Sequence, residues 1–418
     1  MLSNTSRGNN WQILGFSLIG FWILFRDFFG FFLYFGLPDF GVFIFLVGSI
    51  MVSISMIHGI FSIKLKIFDI FVLSYIFFSS AVFFSHSYLY NSYSLSYYQL
   101  TLTLCIQFIV MLILWFYSAK SPHNFVKYTN SLVKLVLLIC ILVGVTLGLL
   151  MMVDINIVFD FYTKLTELQV LVNPFQTSDE GIALRFSGIF KSALNFGLLT
   201  SFCLILLLGG RYNFRGKRVI TFVLLLLLAS TINRNAWLTF IFIGSVIFFV
   251  RIGVRKKYVL WSIFSGSIFV ILILLLFLDS VNTFEKSDSF IFKLSTLYSR
   301  IEIWSYWLST LDFASALHGH GVVAGIGEKH LLIDNGFLYL VLNSGLVSMS
   351  IFIVCIFLLL KKAACLRGSD SDLAFFLVMG LPFTMILNNV VLDPMLMHLM
   401  FFYPVALLNK ELMNEKYA

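Results

Sequence analysis

Three arginines are the side chains best suited to hold a diphosphate. Arg185 closes the run Leu-Arg-Phe-Ser-Gly188, Arg234 sits in Asn-Arg-Asn235, and Arg300 opens Arg300-Ile-Glu-Ile-Trp304-Ser-Tyr-Trp307. A guanidinium stays charged at any physiological pH and offers phosphate two parallel donors. Charge near membrane depth is costly unless it is paired or functional. Three arginines converging on one cavity would make a diphosphate site. Taken singly, each also fits an ordinary loop arginine paired with a nearby acid, because ion-pair networks mimic sites. Arg234 escapes that simpler reading best, since its turn has no acid beside it in sequence. On a helix, positions 300, 304 and 307 share one face, which suits a cation and two aromatic rings at a membrane interface.

A second group of polar residues lies in the same part of the chain. His318, His320 and His330 fall near Asp334, and a His-x-His pair with a third histidine and a carboxylate has the makings of a metal site. His-Gly-His is also a flexible turn in which the glycines set the backbone, and we expect no metal. Asp370-Ser-Asp372 superficially matches the Asp-x-Asp pattern of metal-dependent glycosyl transfer. It follows Lys361-Lys362 on the opposite side of the membrane and reads better as a solvated loop. There is no Walker A motif, and no Ser/His/Asp or Cys set points to a covalent hydrolase.

The elements that must position these residues are membrane helices. The chain has 418 residues, of which 60% are hydrophobic and 11% charged. Apolar runs near twenty residues recur, each long enough for a bilayer core of roughly 30 Å. The alternating ten-residue strands of a membrane barrel are missing. An all-α integral membrane protein with about twelve spans is expected, near 11–35, 40–60, 67–85, 97–118, 131–152, 188–209, 218–233, 235–252, 258–279, 335–360, 373–391 and 394–409. With both ends in the cytoplasm, 19 of the 28 Lys and Arg residues fall in Arg7, cytoplasmic connections and the C-terminal tail. That is the positive-inside pattern. The formal charge of +8 is therefore a topology signal, and no nucleic acid is expected as a partner. Residues 1–418 read as one polytopic domain with two long external loops, 153–187 and 281–334, the second being the largest polar break in the chain. The first helix follows Arg7 without a cleavage site and is expected to stay in place.

The order of motifs carries a resemblance. Arg185-Phe-Ser-Gly188, continuing to Asn195 and Gly197, looks like an "R-x-x-G-x-x-x-x-x-x-N" pattern ahead of a helix pair. That pair ends in Thr231-Ile-Asn-Arg234-Asn-Ala-Trp, which is similar to an "S-R-[GA]-[AS]" turn, with Asn233 and Asn235 as departures. Arg300 and Trp304, the Leu317-His-Gly319-His-Gly321 turn and Asp334-Asn335-Gly-Phe-Leu-Tyr339, with Gly345 following, complete the order. It resembles the O-antigen polymerase/ligase superfamily of bacterial inner membranes, over 185–348 by motif and the whole chain by topology. The resemblance implies a GT-C-like, multi-spanning, metal-independent glycosyltransferase without cofactors. Its donor and acceptor would be undecaprenyl-diphosphate-linked glycans on the periplasmic face.

Within that superfamily the ligase pattern has a histidine before the Asn/Ser/Gln. Here Asp334 occupies that place, which favours a polymerase of the Wzy type. Arg185, Arg234 and Arg300 would then stabilise the departing diphosphate, and Asp334 would be the base, with His330 and Glu302 behind it. Lys191, Asn195, Trp304, His318, His320, His330, Asn335 and Tyr339 are the expected substrate-binding residues. Membrane lipid and a chain-length regulator protein are the further partners implied. An O-antigen ligase acting on lipid A-core and a polysaccharide flippase are the competing readings. The flippase is disfavoured because the spans carry almost no charge beyond Arg26-Asp27.

Overall fold

The computed structural model describes residues 13–24, 40–59, 65–89, 95–167, 175–178, 181–187, 190, 192–210, 215–263, 265, 303–304, 306–307, 309, 311–319, 335–387 and 393–417. The helices are α1 (Ile13–Leu24), α2 (Phe40–Gly59), α3 (Ile67–Leu89), α4 (Leu95–Lys120), α5 (Pro122–Val153), α6 (Ile155–Glu167), α7 (Ala193–Leu208), α8 (Lys217–Ser230) and α9 (Arg234–Arg251). They continue with α10 (Phe313–His318), α11 (Gly336–Cys365), α12 (Ser369–Leu387), α13 (Pro394–Met397) and α14 (Tyr403–Tyr417), the last two joined by a π turn at His398–Phe402. A further helical segment covers 256–263. One two-stranded antiparallel hairpin, β1 (Phe175–Ser178) with β2 (Gly181–Leu184), is the sheet among the described residues.

Four of these helices are long and apolar enough to cross a membrane: Pro122–Leu150, Arg234–Arg251, Gly336–Cys365 and Ser369–Ile386. Five shorter apolar helices accompany them. This is the make-up of a helical membrane protein, and each expected span is helical through most of its described length. The four differ in surroundings. The α12 window is 72% buried within the protein and the α5 window only 22%. A helix apolar all round, with few protein neighbours, has a surface suited to lipid, so α12 is a central post and α5 a peripheral one.

Two expected boundaries shift. Residues 122–130 were expected in a connection, yet α5 begins at Pro122, where proline's missing N–H costs nothing. Its first turns bury Phe125 and Val126. Thr129 there bonds His398 Nε2 at 3.0 Å, and Asn130 Oδ1 accepts from the Tyr403 hydroxyl at 2.6 Å. The expected loop 153–187 also holds structure. Helix α6 buries Val158, Tyr162 and Leu165 along one stripe, and the hairpin follows it.

The core packs α11 against α3 and α12, α9 against α7 and α12, and α14 against α5 and α12. Aromatic rings fill it: Phe352 of α11 stacks on Phe401 at 5.6 Å and meets Tyr75 of α3 at 4.9 Å. The bundle has two chemically distinct ends. At one, Lys66, Lys256, Lys362 and Lys410 bond groups on α11, α12 and α14. At the other lie Arg185, Arg234, the start of α11 and the end of α12. Helix α9 runs between them, and its 18 residues span about 27 Å.

Candidate functional site

The second end is built from the loop after the hairpin. Strand β2 runs directly into Arg185, and the next residue docks: Phe186 N–H donates to Ser230 O at 3.0 Å, where α8 ends. The Phe186 ring stands edge-on to Phe196 of α7 at 5.3 Å. Ser192 caps α7 by accepting from Asn195 N–H at 3.2 Å. One turn later Gly197 lies so close to α9 that an added Cβ would stand 2.7 Å from the Ala236 Cβ. Ser201 Oγ fastens the same crossing, reaching Gly197 O at 2.9 Å and Ala236 O at 3.1 Å. The hairpin exit, the start of α7 and the start of α9 thus form one packed unit.

The turn that presents Arg234 is equally constrained. Thr231 Oγ1 donates to Leu228 O at 2.7 Å and accepts from Asn233 N–H at 3.2 Å. Asn233 caps α9 by accepting from Ala236 N–H at 3.1 Å. Between them Ile232 has φ +46°, a left-handed conformation that strains a β-branched residue by roughly 1–3 kcal/mol. Arg234 is the first residue of α9, at the positive end of the helix dipole. Partial burial pushes the Arg185 guanidinium's affinity for its proton down, and the charge of Arg234 adds to that effect. Two like charges held in each other's field beside a helix N-terminus favour an anion between them.

Sequence reasoning missed Ser187. It is 1% exposed, and its hydroxyl has no hydrogen-bond partner among the described residues. A buried hydroxyl left unsatisfied costs about 1–3 kcal/mol, and this one stands two residues from Arg185. Its place inside the Arg-Phe-Ser-Gly run was the one available signal. Serines are common in this chain, so residue type alone did not mark it out.

A second cluster sits on the first turns of α11. Trp307 packs on the fully buried Leu342, with Ile303, Leu311, Leu338 and Tyr339 around the pair. Trp304 is half-buried, and its indole N–H has no hydrogen-bond partner among the described residues. Helix α11 is broken at Gly345, whose φ is 77° and ψ 171°. Into that break fits the turn after α10: a Cβ on Gly319 would lie 2.5 Å from Asn343 C, and one on Gly345 would lie 2.1 Å from Leu317 O. The Leu317-His-Gly319 turn and Gly345, two separate motif elements in sequence, are therefore in backbone contact. His318 is exposed there, its Nδ1 3.0 Å from Gly319 O.

Asn335 caps α11. Its Oδ1 accepts from Phe337 and Leu338 N–H at 3.0 and 2.9 Å, and its Nδ2 donates to Ile386 O of α12 at 3.3 Å. Asn335→Ala is expected to lower stability by about 1 kcal/mol through the lost cap. Asn335→Asp, which keeps the cap and loses the tether, should fall between it and wild type in thermal melts of detergent-solubilised protein.

Helix α12 joins the two clusters. Thr384 reaches Thr239, just over one turn beyond Arg234, at 3.4 Å, and Ile386 takes the Asn335 tether. Arg185, Arg234 and Asn195 form one group, and Trp304, His318, Asn335 and Tyr339 the other, both at the same end of the bundle. Lys191, Arg300, His320, His330 and Asp334 lie outside the described residues. Among the described residues no three His, Cys, Asp or Glu side chains converge as a metal site would require. No protein-family model matches the chain, and no curated protein matches it either.

Proposed function

We propose that this chain is a polysaccharide polymerase of the O-antigen polymerase type. It would join undecaprenyl-diphosphate-linked repeat units by glycosyl transfer on the periplasmic face of the bacterial inner membrane. The proposal includes the finer architecture: twelve spans, both termini cytoplasmic, and a GT-C-like arrangement with the loops 153–187 and 281–334 outside. The observation that carries it is the Arg185–Arg234 pair, set with the buried Ser187 hydroxyl where the hairpin exit docks on the end of α8, at the bundle end away from the lysines.

The chemistry follows from the donor. A lipid diphosphate is already a good leaving group, so the protein's main task is to receive the charge that develops on it. Preorganised guanidiniums outside bulk water do this at little reorganisation cost. Arg185 and Arg234, with Arg300 from the second loop, are assigned to that role. The acceptor is a sugar hydroxyl on a second lipid-linked unit. As its oxygen bonds the anomeric carbon, the bond to the diphosphate oxygen breaks and the hydroxyl proton passes to Asp334. Because both substrates are lipid-anchored, they meet at a fixed depth, and much of the entropy cost of alignment is removed in advance. Trp304 and Tyr339, of the second cluster, offer ring faces for sugar.

The test uses purified protein with lipid-linked repeat units, free of metal and nucleotide. A ladder of polymer on gels is expected, and Asp334→Asn should lose it. Transfer to lipid A-core without polymer growth, or no transfer at all, would overturn the reading.

A further inference from the structure

The lysine-rich end of the bundle contains an arrangement that this chemistry does not use. Lys66, just ahead of α3, and Lys362, near the end of α11, both donate to one oxygen, Oδ1 of Asn409 on α14, at 3.5 and 3.1 Å. Asn409 is held in place by its own Nδ2, which donates to Ser118 O of α4 at 3.2 Å. Two ammonium groups thus lean on the same neutral acceptor. Their neighbours at this end are arranged differently: Lys256 pairs with Asp372 at 2.9 Å and Lys410 with Asp370 at 2.8 Å. Among the described residues neither Lys66 nor Lys362 has a carboxylate within 4.0 Å of its Nζ. Asp69, three residues on from Lys66, is 5% exposed. It accepts from Trp115 Nε1 at 3.1 Å and from the backbone N–H of Lys66 at 2.9 Å.

Each ammonium carries three donors, and each spends one on Asn409. The remaining donors, on groups drawn together against their mutual repulsion, fit an anion. Two cations and the one carboxylate of Asp69 leave a single net positive charge, which matches the monoanionic phosphate of a phosphodiester. What flanks Lys66 indicates the rest of the ligand. Leu65, Ile67 and Ile70 are 54%, 71% and 52% exposed, an apolar strip running from the ammonium along α3. Basic pockets between membrane helices select anionic headgroups in this way.

We propose that Lys66 and Lys362 bind the phosphate of an anionic phospholipid beside Asn409, with its acyl chains along Ile67 and Ile70. Wild type in detergent should melt higher when phosphatidylglycerol is added than when phosphatidylcholine is. Lys362→Gln should weaken that response about tenfold, the scale of one lost charge-assisted hydrogen bond. Asn409→Asp places a carboxylate between the two ammonium groups. It also gives up the Nδ2 donation to Ser118 O, so the melting temperature without lipid should stay close to wild type while the response to phosphatidylglycerol is abolished, a combination that mere damage would not give. Equal responses of wild type and both variants to phosphatidylglycerol, or equal responses of wild type to the two lipids, would overturn the proposal. So would a rise that inorganic phosphate alone reproduces at matched ionic strength, because that assigns the site to a free anion.

Discussion

Gly345→Ala is expected to destabilise the protein by about 3 kcal/mol or more, the range reserved for strain and steric clash in a packed core. Two effects add. The backbone there, φ 77° and ψ 171°, lies in a region open essentially to glycine alone. An added Cβ would also stand 2.1 Å from Leu317 O, 2.4 Å from Leu317 C and 2.6 Å from His318 C. These are backbone atoms and have no rotamer by which to move aside. Gly319→Ala should behave alike, because its Cβ would meet Asn343 C at 2.5 Å. Gly244 of α9 is the internal control. It has nothing within 4 Å of its Cβ position, and Gly244→Ala should stabilise by up to about 1 kcal/mol through helix propensity. Thermal melts of the three variants in one detergent check the ranking. A Gly345→Ala protein that melts with wild type would show that the α10 turn does not need the break.

The break matters because irregular backbone at membrane depth survives only where other protein covers it. Here the α10 turn supplies the cover. In return it is fixed against the half-helix that carries the Asn335 cap and Tyr339. This coupling was not legible in the sequence. Hydropathy reads straight through 335–360 as one apolar run, since Gly345 has no proline or charge beside it to signal a stop. The two glycine motifs are 26 positions apart, and no local periodicity reports a contact at that range. The resemblance placed both elements in order without saying that they touch.

Other features could be read directly. Apolar length is a local property, so most of the described helices overlap the apolar runs that hydropathy marks. Lys66, Lys256, Lys362 and Lys410 share one bundle end, as the asymmetry of the loops leads one to expect, because each keeps its charge near the helix end it belongs to. The stripe of Val158, Tyr162 and Leu165 has helical spacing, yet the reading of 153–187 as a loop passed over the amphipathic helix it marks. In contrast, the nine residues from Pro122 to Asn130 are polar enough to pass for a connection. They are helical because Phe125 and Thr129 both meet His398, about 270 positions away. At the candidate site the sequence supplied Arg185 and Arg234 as separate suggestions. The fold joined them through one backbone hydrogen bond, Phe186 to Ser230, and one close helix crossing at Gly197.

That junction sets the second large expectation. Arg234→Lys should cut polymer formation by about a hundredfold, the scale on which removal of one preorganised donor slows an enzyme. Lysine keeps the charge and loses the planar fork, so the loss would measure two-pronged phosphate binding and not net charge. Stability should move the other way. Arg185 already holds its proton less firmly because of burial and of Arg234. A more flexible ammonium can swing away and relieve that repulsion, so Arg234→Lys should melt no lower than wild type. The combination is diagnostic: an arginine kept for structure would lose stability along with activity, whereas one kept to meet an anion loses activity alone. The strained Ile232 and the two side-chain caps of its turn are consistent with a guanidinium held in place for a ligand. Arg218→Lys, at the far end of α8, serves as the control and should leave polymer length unchanged. Polymer yield within about twofold of wild type for Arg234→Lys would remove the bidentate role. The pair would then be a by-product of how α7 and α9 cross.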